Sequence, residues 1–262
     1  MTAEGMADSA ADRKCKLKWN QDLFGKISVV PPLGYIRSRR QAVGHILPIL
    51  QSIRHDEYRE PMAGEGAVFF AKPWSANSVL NDLDEDLITT YRILRNASTR
   101  DELATAIAEN PPVRGMIPDD GNDPATVARR RLSQSHIEHS SPEKMTPDKW
   151  KEMITMAGRK LEGTELTVSD FEDSIAEPGR NVLMFVDPPR YNPGGVFTEG
   201  DHSRLAGALR LAPHKFLLVC NDCPEVRKLY DWARVKEAAL GAQTGELFIS
   251  NFELPDRPCQ DA

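Results

Sequence analysis

Apolar residues along this chain keep two different rhythms. One is helical: Val43, Ile46, Leu47 and Leu50 recur at three- and four-residue spacing, which predicts a helix over 41–53. The other is continuous. Val182-Leu183-Met184-Phe185-Val186 and the run inside KFLLVCND (215–222) have no polar face for solvent, as expected of strands covered on both sides in a parallel sheet. YREPMAGEGAVFFA reads as a short strand, a turn at Gly64 and Gly66, and a new helix. SVLNDLDEDLITTYRILR repeats the arrangement, with a strand ending at Asn81-Asp82 and a helix carrying Leu87, Ile88, Tyr91 and Leu94. Two successive strand-turn-helix units imply a parallel sheet.

Between 96 and 145 the pattern breaks at Pro111, Pro112, Pro118, Gly121, Pro124 and Pro142, and the segment reads as an insertion rather than core. A helix is expected over Lys149–Lys160, with Pro147 in its first turn. Then come a strand in TELTVSD ending near Asp170, the 182–186 strand, a helix over Glu199–Leu211, the 215–222 strand, a helix in EVRKLYDWA and a closing strand in ELFISNFEL. Residues 1–30 read as a polar leader expected to end in a short docking segment around Ile27–Val30, and no internal repeat appears.

Composition narrows the functional classes. At 262 residues and 40% apolar, the chain can bury one large core, or one core and a small appended domain. No stretch approaches the roughly 18 apolar residues that span a bilayer, and the start of the chain lacks an apolar signal segment, so a cytoplasmic protein is expected. Of four cysteines only Cys220 and Cys223 have CxxC spacing; without a second pair they read as reduced structural thiols, and no metal is expected. The net charge of −6 gives no general attraction to nucleic acid, so any DNA contact needs a local basic face.

Ligands of open α/β sheets bind beyond the carboxyl ends of the strands. There the Gly64/Gly66 turn lets backbone approach a ligand, and Asp82 is set to accept from the two hydroxyls of a ribose, although a plain tight turn would use the same glycines. No GxxxxGK[ST] run is present, so the ligand need not carry phosphates. Asp187-Pro188-Pro189 ends its strand with a carboxylate and a carbonyl beside residues lacking backbone donors. Two acceptors at one point suit a substrate with an amino group; a strand simply terminated by prolines is the plain alternative.

YREPMAGEGAVFFA, VLNDLDEDLITTYRILR, VDPPRY, FTEGDHSRLAGALR, FLLVCNDCPEVRKLY and ELFISNF occur in the order and approximate spacing of the Dam-like DNA adenine methyltransferases. The chain resembles that family over roughly residues 31–95 and 165–253. The resemblance implies a class I S-adenosylmethionine-dependent fold. This is a Rossmann-like, mostly parallel seven-stranded sheet, with a small, mainly helical target-recognition insert over 96–164 between the two parts of a catalytic domain, 31–95 and 165–262. It implies methyl transfer to the exocyclic amine of adenine in double-stranded DNA. Glu60, Pro61, Ala63, Gly64 and Gly66 would then line the methionine end of S-adenosylmethionine, Asp82 would hold its ribose, and Asp187 and the Pro188 carbonyl would bind the target amine.

The family's stacking aromatic after the second proline is Arg190 here, with Tyr191 next to it. Its aromatic followed by Gly-Gly-Lys is replaced by PPLGYIRSRRQ, in which Tyr35 stands for the aromatic, Arg39 for the lysine, and Arg37-Ser38 for the glycines. Three readings follow: an active adenine methyltransferase with an altered site, a family member that binds DNA or cofactor without turnover, and a methyltransferase acting on another amine. Arg129, Arg130 and Arg131 suit phosphate contacts, and equally a solvated face. His202 and His214 show no acid or metal partner and read as ordinary helix and loop residues, and Asp222 as an acid at a strand end.

Overall fold

The computed structural model describes residues 29–33, 37–113, 121–139, 145–240 and 243–254. Among them, nine helices and seven strands alternate along the chain. The order is α1 (Arg37–Ser52), β1 (Glu57–Glu60), α2 (Ala67–Ala71), β2 (Asn77–Asp82), α3 (Glu85–Arg95), α4 (Ala97–Glu109), α5 (Pro124–His139) and α6 (Pro147–Leu161). It continues with β3 (Glu165–Val168), α7 (Phe171–Ala176), β4 (Val182–Val186), α8 (Glu199–Leu211), β5 (Lys215–Asn221), α9 (Pro224–Leu229), β6 (Arg234–Leu240) and β7 (Gln243–Ser250).

The strands form one mixed sheet in the order β3-β2-β1-β4-β5-β7-β6. The five from β3 to β5 run parallel, and β7 enters antiparallel between β5 and β6. Among the parallel strands, chain order runs outward from β1 to β3 in one direction and from β4 to β5 in the other, so the topological switch lies between β1 and β4. The protein is thus α/β, with a mostly parallel sheet compatible with a Rossmann-like fold.

The continuous apolar strands explain the layering. Alternate residues of β4 and β5 enter two separate cores: Leu183, Phe185, Leu217 and Val219 one of them, Met184, Val186, Phe216 and Leu218 the other. Side chains of α1 to α6 fill the first core, and those of α7, α8 and α9 the second. Arg59, 2% exposed, points from β1 to the second side, where it pairs with Glu57 and donates to the Ser174 and Glu177 carbonyls at 2.6 and 2.9 Å. Every donor direction it uses ends on an acceptor, which offsets the cost of burying its charge.

Stretch 96–145, expected as an insertion rather than core, supplies Leu103, Ala104, Ile107, Ala128 and Leu132 to the first core, beside Trp150, Ile154 and Leu161 of the helix that follows. Helices α4, α5 and α6 all pack on α3, and α4 also packs on α5 and α6. A Cβ at Gly158 of α6 would lie 2.2 Å from the Leu94 carbonyl oxygen, so only glycine allows that approach. Helix α8 has the expected bounds because Thr198 and Asp201 close a reciprocal capping box at its start. The helix expected through EVRKLYDWA stops at Leu229, and the following stretch becomes the unanticipated edge strand β6.

Candidate functional site

Glu60, Asp82 and Asp187 end three neighbouring strands, β1, β2 and β4, at the carboxyl rim beside the topological switch. From Glu60 the chain turns through buried Pro61 and Ala63 to exposed Gly64 and then Gly66. Gly64 and Gly66 have φ of 47° and 63°, the left-handed region in which a side chain is strained. The Gly64 amide donates to Asp82 Oδ2 at 2.8 Å, and the Gly64 carbonyl accepts from the Tyr91 hydroxyl at 2.7 Å. Asp82 Oδ1 accepts from the Asp84 amide at 3.0 Å. The acid therefore fixes both the glycine turn and the entry to α3. Each carboxylate oxygen still has acceptor capacity, because an ionised carboxylate offers about four lone-pair sites.

Beneath this turn, fully buried Asn81 joins three strand ends. Its Nδ2 donates to the Pro61 and Ser169 carbonyls, both at 2.9 Å. Its Oδ1 accepts from the Thr167 and Ser169 hydroxyls at 2.8 and 2.9 Å. All four bonding positions of the amide are used, so the rim of β1, β2 and β3 is rigid where the loop departs.

Glu60 is 2% exposed and accepts from the Tyr58 hydroxyl at 2.6 Å. Burial pushes its pKa up to about 8, and the nearby Asp187 charge adds to the rise, against the opposing pull of Tyr58 and Lys72. Burial likewise drives the Tyr91 hydroxyl well above its ordinary value, with Glu60, Asp82 and Glu65 adding to it. The rim thus gathers acidic side chains, of which Glu60 is held largely protonated near neutral pH by its burial.

At the β4 end, Asp187 is half-buried, Pro188 buried, and Pro189 and Arg190 exposed. Asn221 clamps the turn: its Oδ1 accepts from the Tyr191 amide at 2.7 Å, and its Nδ2 donates to the Tyr191 carbonyl at 3.1 Å. The two side chains after the prolines diverge. Arg190 donates to Glu246 Oε1 at 3.1 Å, on a glutamate that β7 pairs with Asn221. The Tyr191 ring lies 5.0 Å from that of His202, whose other side meets Phe197 at 4.7 Å. His202 is buried, and its ring nitrogens find no hydrogen-bond partner among the described residues. Burial lowers its pKa, so it packs as a neutral ring.

The remaining expected residues fall into three groups. Arg129, Arg130 and Arg131 lie on α5, where Arg131 bonds Asp84 at 2.5 Å, and Arg130 reaches Asp86 at 3.5 Å and the Gly121 carbonyl at 3.1 Å. The run is therefore tied to the start of α3, next to Asp82. Tyr35 lies outside the described residues, as do the side chains of Arg37, Ser38 and Arg39. Asp222 forms two bonds with Arg227, at 2.6 and 2.7 Å, and His214 contacts the Glu177 carbonyl. Cys220 and Cys223 are free thiols, and burial raises that of Cys220 to about 11. Among the described residues no group of three or more metal-ligating side chains forms, and no helix is long and apolar enough to cross a membrane.

Glu246, Asn221 and Asn81 carry functions in this geometry that the motifs did not isolate. All three sit inside quoted segments, yet their roles depend on contacts 56, 30 and 88 residues away in sequence. Compared with known proteins, the chain matches no family model and no curated protein.

Proposed function

We propose that this protein is an S-adenosylmethionine-dependent methyltransferase acting on the 6-amino group of an adenine flipped out of double-stranded DNA. The observation that carries the reading is the 2.8 Å bond from the Gly64 amide, after β1, to Asp82 at the end of β2, with β1 also the neighbour of β4, which leads into Asp187. The open glycine turn, the strand-end acid and the Asp-Pro-Pro turn thus lie on one rim, as the resemblance to the Dam-like enzymes requires. The seven-stranded, mostly parallel sheet supports the same class.

The residues fit the cofactor. A Cβ placed on Gly64 would meet nothing within 4 Å, so the turn has open space beside Asp82. The acidic side chains of Asp82 and Asp187 suit a cationic ligand, while Glu60, favoured in its protonated form by burial, can donate as well as accept a hydrogen bond. Glu60, Pro61, Ala63, Gly64 and Gly66 would hold its methionine end and Asp82 its ribose. The bound cofactor supplies an electrophilic methyl group on a cationic sulfur.

Adenine's amine is a weak nucleophile because its lone pair is delocalised into the ring. Asp187 and the Pro188 carbonyl would accept its two N–H groups and hold the nitrogen in one orientation, so positioning supplies most of the acceleration. Extruding the base costs a few kcal/mol, normally recovered by stacking and edge contacts. Arg190, held by Glu246, is the group beside the turn able to lie over a base plane. Arg129, Arg130 and Arg131 would contact phosphate, since a guanidinium carries five donors and the intramolecular bonds use only part of them.

A second reading, binding without turnover, is favoured by one observation: Arg190 is paired with Glu246 while the Tyr191 ring packs on His202. Labelled methyl transfer to duplex DNA, with the modified nucleoside identified by chromatography, separates the two. Label at adenine N6 is expected. Binding of cofactor or of DNA without label in any nucleoside favours the second reading, and absence of both cofactor and DNA binding overturns both.

A further inference from the structure

The opposite rim of the sheet holds a feature with no part in that chemistry. Two lysines are buried there: Lys72, 5% exposed, after α2, and Lys160, 3% exposed, near the end of α6. Lys160 Nζ donates to the Lys72 carbonyl at 2.7 Å and lies over the rings of Trp74 and Phe69, 4.9 and 5.4 Å from their centres. Lys72 Nζ donates to the Pro73 carbonyl at 3.0 Å and to Ser75 at 2.5 Å, above the Tyr58 ring. Among the described residues neither ammonium has a carboxylate within ion-pairing distance. Buried charges are ordinarily paired, and one left without a counter-charge is costly.

Beside Lys160 lies a cavity of about 120 Å³, lined also by Phe69, Trp74, Ser75, Ser78 and Thr164. This volume suits a molecule of a few heavy atoms. Its walls combine one buried cation, three hydroxyl-bearing side chains and two aromatic faces. The Glu162 carboxylate also lines it, half-exposed and bonded to Arg100 at 3.2 Å. An acidic residue in the lining disfavours a doubly charged tetrahedral ion and tolerates a singly charged one. The aromatic faces offer contact to a short alkyl chain, which phosphate lacks.

We propose that this cavity binds a short-chain carboxylate, its anionic end on the Lys160 ammonium and hydroxyls and its alkyl end against Phe69 and Trp74. The proposal is independent of the methyltransferase reading. Burial lowers the pKa of Lys160 to about 8 and that of Lys72 to about 7, with the Lys160 charge adding to the fall at Lys72. A bound anion reverses that shift, so binding near pH 8 draws a proton from solution.

The test uses the full chain, with butyrate and phosphate as probes at matched ionic strength. Butyrate is expected to raise the melting temperature with a dissociation constant on the order of millimolar, appropriate to so small a ligand. Lys160→Met, similar in length and uncharged, is expected to weaken butyrate binding at least ~10-fold, the loss of one charge-assisted contact. Calorimetry of the unmodified protein at pH 8, in two buffers of different protonation enthalpy, is expected to show net proton uptake; this readout does not depend on the variant folding. Absence of butyrate binding, binding without proton uptake, or undiminished binding in a folded Lys160→Met overturns the proposal. Tighter binding of phosphate than of butyrate overturns its choice of ligand.

Discussion

The two rims of the sheet treat charge in opposite ways. At the carboxyl rim, Asp82 is held by the amides of Gly64 and Asp84, and Glu60 by the Tyr58 hydroxyl. At the amino rim, Lys72 and Lys160 rest on carbonyls, a serine and aromatic faces. Turns leaving strand ends expose amides that suit anions, so carboxylates can be placed there with directional partners. The lysines donate only to neutral acceptors and form no ion pair among the described residues, although Glu60 acts on Lys72 from across Tyr58. Under the two proposals above, one edge receives a cation and the other an anion. Tyr58 of β1 touches both, with its hydroxyl on Glu60 and Lys72 above its ring at 4.3 Å.

The contrast can be broken first at Asp187. Replacing it with alanine removes the acceptor proposed to orient the amine, and methyl transfer is expected to fall at least ~10²-fold, the scale of lost positioning. Labelled transfer to DNA measures this, with the melting temperature as a check on folding. Asn81→Leu attacks the scaffold of the same rim. It leaves the Thr167 and Ser169 hydroxyls and the Pro61 and Ser169 carbonyls without their shared partner. A loss of about 3 kcal/mol is expected in urea unfolding, one to two unsatisfied buried groups. Asp82→Asn is gentler: the side chain keeps its shape, loses its charge, and should weaken S-adenosylmethionine binding about tenfold by calorimetry.

The smallest effect concerns pH. The Glu60 pKa is raised from 4.5 to about 8, so between these values the folded state holds a proton that the unfolded state has lost. Stability therefore falls as pH rises through that window. Lys72 acts the other way: lowered from 10.5 to about 7, it adds stability as pH rises between those values. Glu60→Gln is expected to flatten the fall between pH 4.5 and 8 and leave the rise above it. Urea unfolding at a series of pH values checks both arms; an unchanged acid-side slope would show that Glu60 does not titrate as its burial dictates.

Much of the carboxyl rim was legible in the sequence because apolar runs ending in acids mark buried strands and their tips. The bounds of α8 were legible because Thr198 and Asp201 form a local cap. Strand β6 was not, since RVKEAAL at the sheet edge buries Ala238 but places charged side chains along the strand. Helices α4 and α5 escaped because prolines flank them and alanines and arginines dilute their apolar stripe. The partner of Arg190 was hidden for a different reason: Glu246 reaches it only through the antiparallel entry of β7 beside β5. The buried lysines gave no local sign, because a lysine's neighbours in sequence do not reveal whether its ammonium meets water.

Asn221 has one more implication. Its amide grips the main chain of Tyr191 on both sides, while the side chains beyond that latch are held separately, Arg190 by Glu246 and the Tyr191 ring by His202. Positions 190 and 191 therefore vary on a fixed main-chain mount, each against its own partner. Under the proposed function, a library varied at these two sites alone would retune what the rim accepts without disturbing the acid behind it.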